Sequence, residues 1–128
     1  MATRTREKAK TRMENREMRP HAVAKMIRIS PYKVRKVLDL IRGKSYPYAV
    51  ALLSEVNKSA SEPVLKVLNS AAANAENNLN MNKDTLYVAE CYADQGPTLK
   101  RMRARSKGRG ARILKRTSHI TVILDAAK

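Results

Sequence analysis

The 128 residues carry 27 Lys or Arg against 11 Asp or Glu, a formal net charge of +16, with no Trp, no Phe and five Tyr. That is about one domain of chain, and its core must be aliphatic and alanine-based. The single cysteine, Cys91, excludes an internal disulfide and a multi-cysteine zinc site, and no run of about eighteen apolar residues exists to span a membrane.

Residues 1–19 are polar and charged, with a net charge of +4 and no apolar periodicity beyond Met13 and Met18. They are expected to form a flexible, disordered basic arm. The apolar segment of a secretory signal is missing, and Glu7, Glu14 and Glu17 argue against an acid-poor transit peptide. Pro20 closes the arm. Residues 20–128 then read as a single α+β domain.

Residues 22–29 are rich in β-branched side chains and predict a short first strand, although Lys25 and Arg28 break a simple alternation. Ser30-Pro31 reads as a helix start, with Ser supplying a capping oxygen and Pro at the first helical position. Val34, Val37, Leu38 and Ile41 give that helix one apolar face, and Gly43 ends it. Ser45 caps a second helix with Pro47 in its first turn; Ala49, Val50, Leu53 and Val56 form its buried face. Ser59 and Glu62 have capping-box spacing for a third helix. Its stripe runs through Val64, Val67, Leu68, Ala71, Ala72 and Ala75, and small residues there invite close packing. Asn77-Asn78 is expected to terminate it.

Residues 85–93 predict a second strand and residues 119–124 a third. Between these strands lies the densest charge in the chain. Nine of the seventeen residues 100–116 are basic, and no Asp or Glu occurs between Asp94 and Asp125. The basic residues are Lys100, Arg101, Arg103, Arg105, Lys107, Arg109, Arg112, Lys115 and Arg116. Such a run repels itself unless a polyanion takes up the charge. Its apolar, strand-like flanks suggest a long hairpin spanning about residues 94–119. Arms of about twelve residues would reach roughly 40 Å at ~3.3 Å per residue. The expected fold is therefore three helices packed on a small three-stranded antiparallel sheet with a long protruding β-hairpin.

The chemistry read from these residues is phosphate binding. Arginine matches phosphate with a planar fork and stacks on bases, and the stretch holds six Arg to three Lys. Gly108 and Gly110 permit a tight turn and close approach to a partner. Arg28, Lys33, Arg35 and Arg42 are expected to add RNA contacts from the body. Enzyme constellations are absent: His21 and His119 have no converging partners, and no Walker loop, dinucleotide fingerprint or nucleophile elbow occurs. No cofactor or metal is expected, and Cys91 reads as a buried structural thiol. A general DNA-binding protein would need a groove-reading helix or dimeric wedge. A membrane-active segment would need large apolar residues opposite its charge. Neither is evident.

Several separated motifs together resemble the bacterial large-ribosomal-subunit protein number twenty-two family. They include Ser30-Pro31-Tyr32-Lys33-Val34-Arg35, Leu40-Ile41-Arg42-Gly43-Lys44 and Asn69-Ser70-Ala71-Ala72-Ala73-Asn74-Ala75-Glu76. Gly96-Pro97 with Lys100-Arg101, Arg105-Ser106-Lys107-Gly108-Arg109 and His119-Ile120-Thr121-Val122 complete the set. The resemblance covers roughly residues 22–124. It implies a three-helix, three-strand body near the exit of the nascent-peptide tunnel and a hairpin threading ribosomal RNA. The implied tunnel-lining tip is Arg105, Lys107, Gly108 and Arg109, with Ala104 standing where members often have Pro. The implied setting is the cytoplasmic ribosome, as a monomer within the particle. The implied partners are large-subunit ribosomal RNA, neighbouring ribosomal proteins and the passing nascent peptide.

Overall fold

The computed structural model describes residues 2–14 and 18–126. In chain order it contains α1 (Ala2–Glu14), β1 (His21–Ile27), α2 (Pro31–Ile41), α3 (Tyr46–Glu55), α4 (Ser61–Leu79), β2 (Leu86–Gln95), β3 (Leu99–Ala104), β4 (Gly110–Lys115) and β5 (Ser118–Ala126). β1, β5 and β2 form an antiparallel three-stranded sheet in that order, while β3 and β4 form a separate two-stranded ribbon. The α+β class and the three-stranded body sheet are as the sequence predicts. The element count differs, because the described residues hold four helices and five strands.

The additional helix is α1. Residues 2–14 lack an apolar face but are rich in Ala, Lys, Arg and Glu, all good helix formers. Every residue from 3 to 14 is exposed, so propensity and local bonds shape this helix without core packing. Lys10 pairs with Glu14 at 3.9 Å, and Thr11 donates to the Glu7 carbonyl at 2.9 Å. The missing hydrophobic period hid it from the sequence reading.

The core is aliphatic. Leu38, Ile41, Leu68, Leu86, Ile120 and Leu124 are its largest fully buried side chains. Across the sheet, Ala22 pairs with Val122 and Val122 with Cys91; Ala24 pairs with Ile120 and Ile120 with Ala93. These rows share a face, and α2 and α4 pack against it. Ala71, Ala72 and Ala75 are fully buried on α4; their short side chains let the helix approach the sheet closely.

Helix ends follow the sequence in position more than in chemistry. Ser30 and Ser45 occupy the expected cap positions, yet neither hydroxyl makes a capping bond. Their carbonyls accept the first helical bonds, Ser30 from Val34 and Ser45 from Ala49. The Ser59–Glu62 capping box does not form. The chain turns between Lys58 and Ser61, α4 starts after Ala60, and Glu62 pairs with Lys66 at 2.6 Å. α4 also runs past Asn77-Asn78 to Leu79, where Asn80 at φ 51° closes it in the left-handed region. Gly43, at φ 71°, ends α2 as expected.

The outer edge of β2 is closed by its own domain. Gly43 N–H donates to the Val88 carbonyl at 2.9 Å, and Val88 N–H donates to the Lys44 carbonyl at 2.9 Å. Further along, Arg42 Nη2 donates to the Cys91 carbonyl at 3.1 Å. Arg35 Nε and Nη2 both reach the Ala93 carbonyl, at 3.0 and 2.8 Å. An edge with its carbonyls already occupied offers little template for another strand.

Cys91 is 3% exposed, and its thiol contacts the Leu38 carbonyl at 3.5 Å. Burial pushes its pKa up, partly offset by the Arg42 guanidinium. The folded state therefore favours the neutral thiol. That contribution is complete below the unfolded thiol's pKa and is lost as pH rises through the raised folded value. Cys91→Ala is expected to cost about 1 kcal/mol and to flatten the alkaline limb of a urea-denaturation pH profile. An unchanged alkaline limb would show that the thiol is not coupled to folding.

Candidate nucleic-acid interface

The site is built outward from the β2–β5 pair. This ladder ends at Gln95 opposite Ser118, and the β3–β4 ladder begins at Leu99 opposite Lys115. Three residues on one side therefore oppose two on the other, a bulge that bends and twists a strand pair. The junction is tightly held. Gly96 N–H donates to the Thr117 carbonyl at 2.9 Å, and Thr117 Oγ1 donates to the Pro97 carbonyl at 2.6 Å. A Cβ at position 96 would sit 2.4 Å from Thr117 Oγ1 and 3.2 Å from the His119 ring, so the close approach requires glycine. His119 is tied in turn to β1. Its Nδ1 accepts from Met26 N–H at 3.0 Å, where Met26 adopts φ 61° and the register of β1 shifts. That bend explains the broken alternation around Lys25 and Arg28.

Beyond the junction the ribbon stands free. The expected span of about residues 94–119 runs from the Asp94–His119 pair of the β2–β5 ladder out to the tip and back. Asp94 and Gln95 belong to β2, Ser118 and His119 belong to β5, and only six residue pairs make up the ribbon. Its ladder is about 20 Å long at ~3.3 Å per residue, and the junction residues and tip loop add to the hairpin's reach. Paired residues share a face, so Arg101, Arg103 and Lys115 lie on one side and Lys100 and Arg112 on the other. Both faces are cationic, and all of residues 99–110 are exposed. A ribbon charged on both faces suits a partner that surrounds it.

The tip is a five-residue loop closed by Arg105 N–H to the Arg109 carbonyl at 2.7 Å. Lys107 and Gly108 turn it at φ 57° and 69°, whereas Gly110 takes no such angle. Of the two glycines singled out by sequence, Gly108 is thus the one serving the turn. Arg105, Lys107 and Arg109 project from this loop, all exposed.

The body cations divide into two groups. Arg28 and Lys33 join Lys115 and Arg116 around a cleft of about 530 Å³ at the ribbon's root, with Ser30 and Ser59 also lining it. Arg35 and Arg42 do not join them, since both are engaged on the edge of β2. Arg42 also holds Asp39 at 2.7 Å, and Arg35 lies 5.5 Å from the Tyr32 ring centre. Sequence reasoning missed Ser59 and Thr117 as site-building residues, whereas Gly96-Pro97 reads as a bend or bulge and lies at the junction. Only the glycine beside Pro97 carried a local signal. Among the described residues no group of three or more His, Cys, Asp or Glu comes together as a metal site, and no helix is long and apolar enough to cross a membrane.

The junction generates a prediction. Thr117→Val removes the hydroxyl that donates to the Pro97 carbonyl and is expected to cost about 1–3 kcal/mol. Gly96→Ala should shift amide resonances throughout residues 99–115 as the ribbon re-aims. Wild-type stability and spectra in both variants would show that the junction does not fix the ribbon.

Known proteins carry the same chain pattern. Residues 22–125 match the family described as Ribosomal protein L22p/L17e. The chain is 55% identical over 107 residues to the large ribosomal subunit protein uL22 of Clostridium novyi, covering 84% of this chain and 96% of that one. It is 58% identical over 107 residues to uL22 of Desulfitobacterium hafniense, covering 84% and 94%. It is 56% identical over 111 residues to uL22 of Staphylococcus aureus strain JH9, covering 87% and 95%. A match spanning all the body strands, the three packed helices and the basic ribbon shows that the chain belongs to the ribosomal protein L22p/L17e family.

Proposed function

We propose that this chain is a structural, non-catalytic constituent of the large ribosomal subunit. It binds ribosomal RNA, supports subunit assembly and lines the nascent-peptide exit tunnel with its hairpin tip. The observation that carries this reading is the free-standing β3–β4 ribbon, exposed and cationic on both faces. Lys100, Arg101, Arg103, Arg112, Lys115 and Arg116 bind RNA along the ribbon. Arg105, Lys107, Gly108 and Arg109 form the tunnel wall beside the passing peptide. Arg28 and Lys33 extend the RNA surface onto the body, while Arg35 and Arg42 shape the body and present only their remaining donors. Residues 20–128 act as one domain. Residues 2–14 act as a basic helical arm ahead of the body. The protein works in the cytoplasm as one copy within the particle, beside other ribosomal proteins.

RNA binding should be strongly electrostatic. If six to ten phosphates are neutralised, affinity drops by about 10³ to 10⁵ between roughly 50 and 200 mM salt, on the duplex-DNA scale. An affinity that barely changes over that range would sink the reading.

The tip has its own test. Replacing residues 102–111 with a short glycine-containing turn removes no buried side chain, so cooperative thermal unfolding should persist. The body should still dock. Maps of ribosomes carrying this variant should show a widened or rearranged tunnel. An unaltered tunnel would refute the role given to Arg105, Lys107 and Arg109.

A further inference from the structure

The root cleft adjoins a second cavity of different character. Val37, Leu40, Val56 and Ala60 floor a groove of about 410 Å³ between α2 and the turn leading into α4. Lys33, Lys36 and Lys58 rim it, and Leu40 is 45% exposed. Lys33 and Ser59 line both cavities, so the apolar groove and the cationic cleft adjoin. We infer that the two together seat one unpaired RNA nucleotide, its base in the groove and its phosphodiester in the cleft. This inference rests on the RNA-binding reading above and specifies the form of RNA taken at the body.

The chemistry favours that occupant. An apolar floor ringed by three ammonium groups repels a cationic peptide and suits an apolar face bearing negative charge at its margin. A nucleotide has that layout: a flat base with hydrogen-bonding edges on a phosphodiester anion. The cleft supplies four cations from three parts of the chain, with Arg28 beyond β1, Lys33 on α2, and Lys115 and Arg116 at the ribbon's root. Arginine grips phosphate oxygens with paired donors, and lysine adds a mobile point charge. Hydroxyls of Ser30 and Ser59 line the cleft among these cations, where a ribose or phosphate oxygen can bond them. The start of α4 adds its positive dipole end beside Ser59 and Ala60. A base stacked inside a duplex cannot enter the groove, so single-stranded or bulged RNA is selected, as is general where bases are read in RNA. Binding there also bridges the body and ribbon through one backbone segment, which holds the ribbon's angle to the body.

The test uses the full chain with methyl-labelled Val and Leu, titrated at 200 mM salt with three probes. These are a six-nucleotide single-stranded RNA, a blunt RNA duplex and inorganic phosphate. The single strand should shift the methyls of Val37, Leu40 and Val56, and neither other probe should. Leu40→Ala should weaken single-strand binding by about fivefold through lost apolar contact and leave duplex binding on the ribbon unchanged. Because Leu40 is half exposed, this variant keeps the fold. Equal methyl shifts with phosphate or duplex would overturn the inference. So would ribbon shifts with silent groove methyls, although RNA binding would then stand. No response to any RNA would overturn both.

Discussion

The antiparallel pairing of β2 with β5 is the interaction on which the remaining architecture depends. β5 is the central strand, and Ile120, Val122 and Leu124 on it are fully buried. Those side chains fix one end of a strand pair whose other end carries cations on both faces into solvent. An isolated two-stranded ribbon is marginal in water, and this one has no apolar face to help it. Its order comes from continuity with the anchored pair, transmitted through the Gly96–Thr117 junction. The extra residue at that junction redirects the ribbon while the bonds among Gly96, Pro97 and Thr117 keep the redirection fixed. His119 extends the same constraint to the bend in β1. The direction of the ribbon and the position of Arg28 are therefore set together.

Charge in this molecule has two separate uses. On α2, Arg35 and Arg42 terminate carbonyls that would otherwise face water at a sheet edge. Arginine suits the task because its planar fork can satisfy one carbonyl twice. On the ribbon, cations form no ion pair among the described residues, and no Asp or Glu occurs between Asp94 and Asp125. The first group stabilises the fold through local hydrogen bonds. The second remains available to an external anion. A count of Lys and Arg treats both groups alike, and net charge therefore overstates the surface open to RNA.

Much of the body was legible in the sequence. The helical stripes of α2 and α4, the β-branched run in β5 and the left-handed stop at Gly43 each follow from a short-range rule, and each appears where that rule puts it. Distances along the chain explain the rest. The capping box at Ser59 looked complete locally, but the chain turns from Lys58 to Ser61, α4 starts one residue later, after Ala60, and Glu62 pairs with Lys66. α1 was invisible because amphipathic period is the signal for a packed helix, and residues 3–14 of this helix are all exposed. The arrest of Arg35 and Arg42 on β2 joins residues 58 and 49 positions apart. The root cleft likewise gathers residues near 30, 59 and 115. No periodicity in one segment encodes such meetings. They depend on how the sheet order returns β5 to the middle after the ribbon has left and come back.

The separation of apolar and cationic residues also bears on how the protein reaches its particle. Among the described residues every buried polar side chain is uncharged: Ser61, Thr117, Ser118 and Thr121. The core therefore asks nothing of a partner, and the body can form by hydrophobic burial alone. The ribbon is the reverse case. It has almost nothing to bury, and its self-repulsion falls only when phosphates replace water and salt around it. Thr117 and Ser118 mark where one regime passes to the other, buried polar residues between an aliphatic strand and an exposed basic one. Folding of the body sets the ribbon's origin and direction, and condensation of RNA around the ribbon then stabilises what the body has aimed. That order assigns shape to the protein's core and stability of the extended arm to its surroundings.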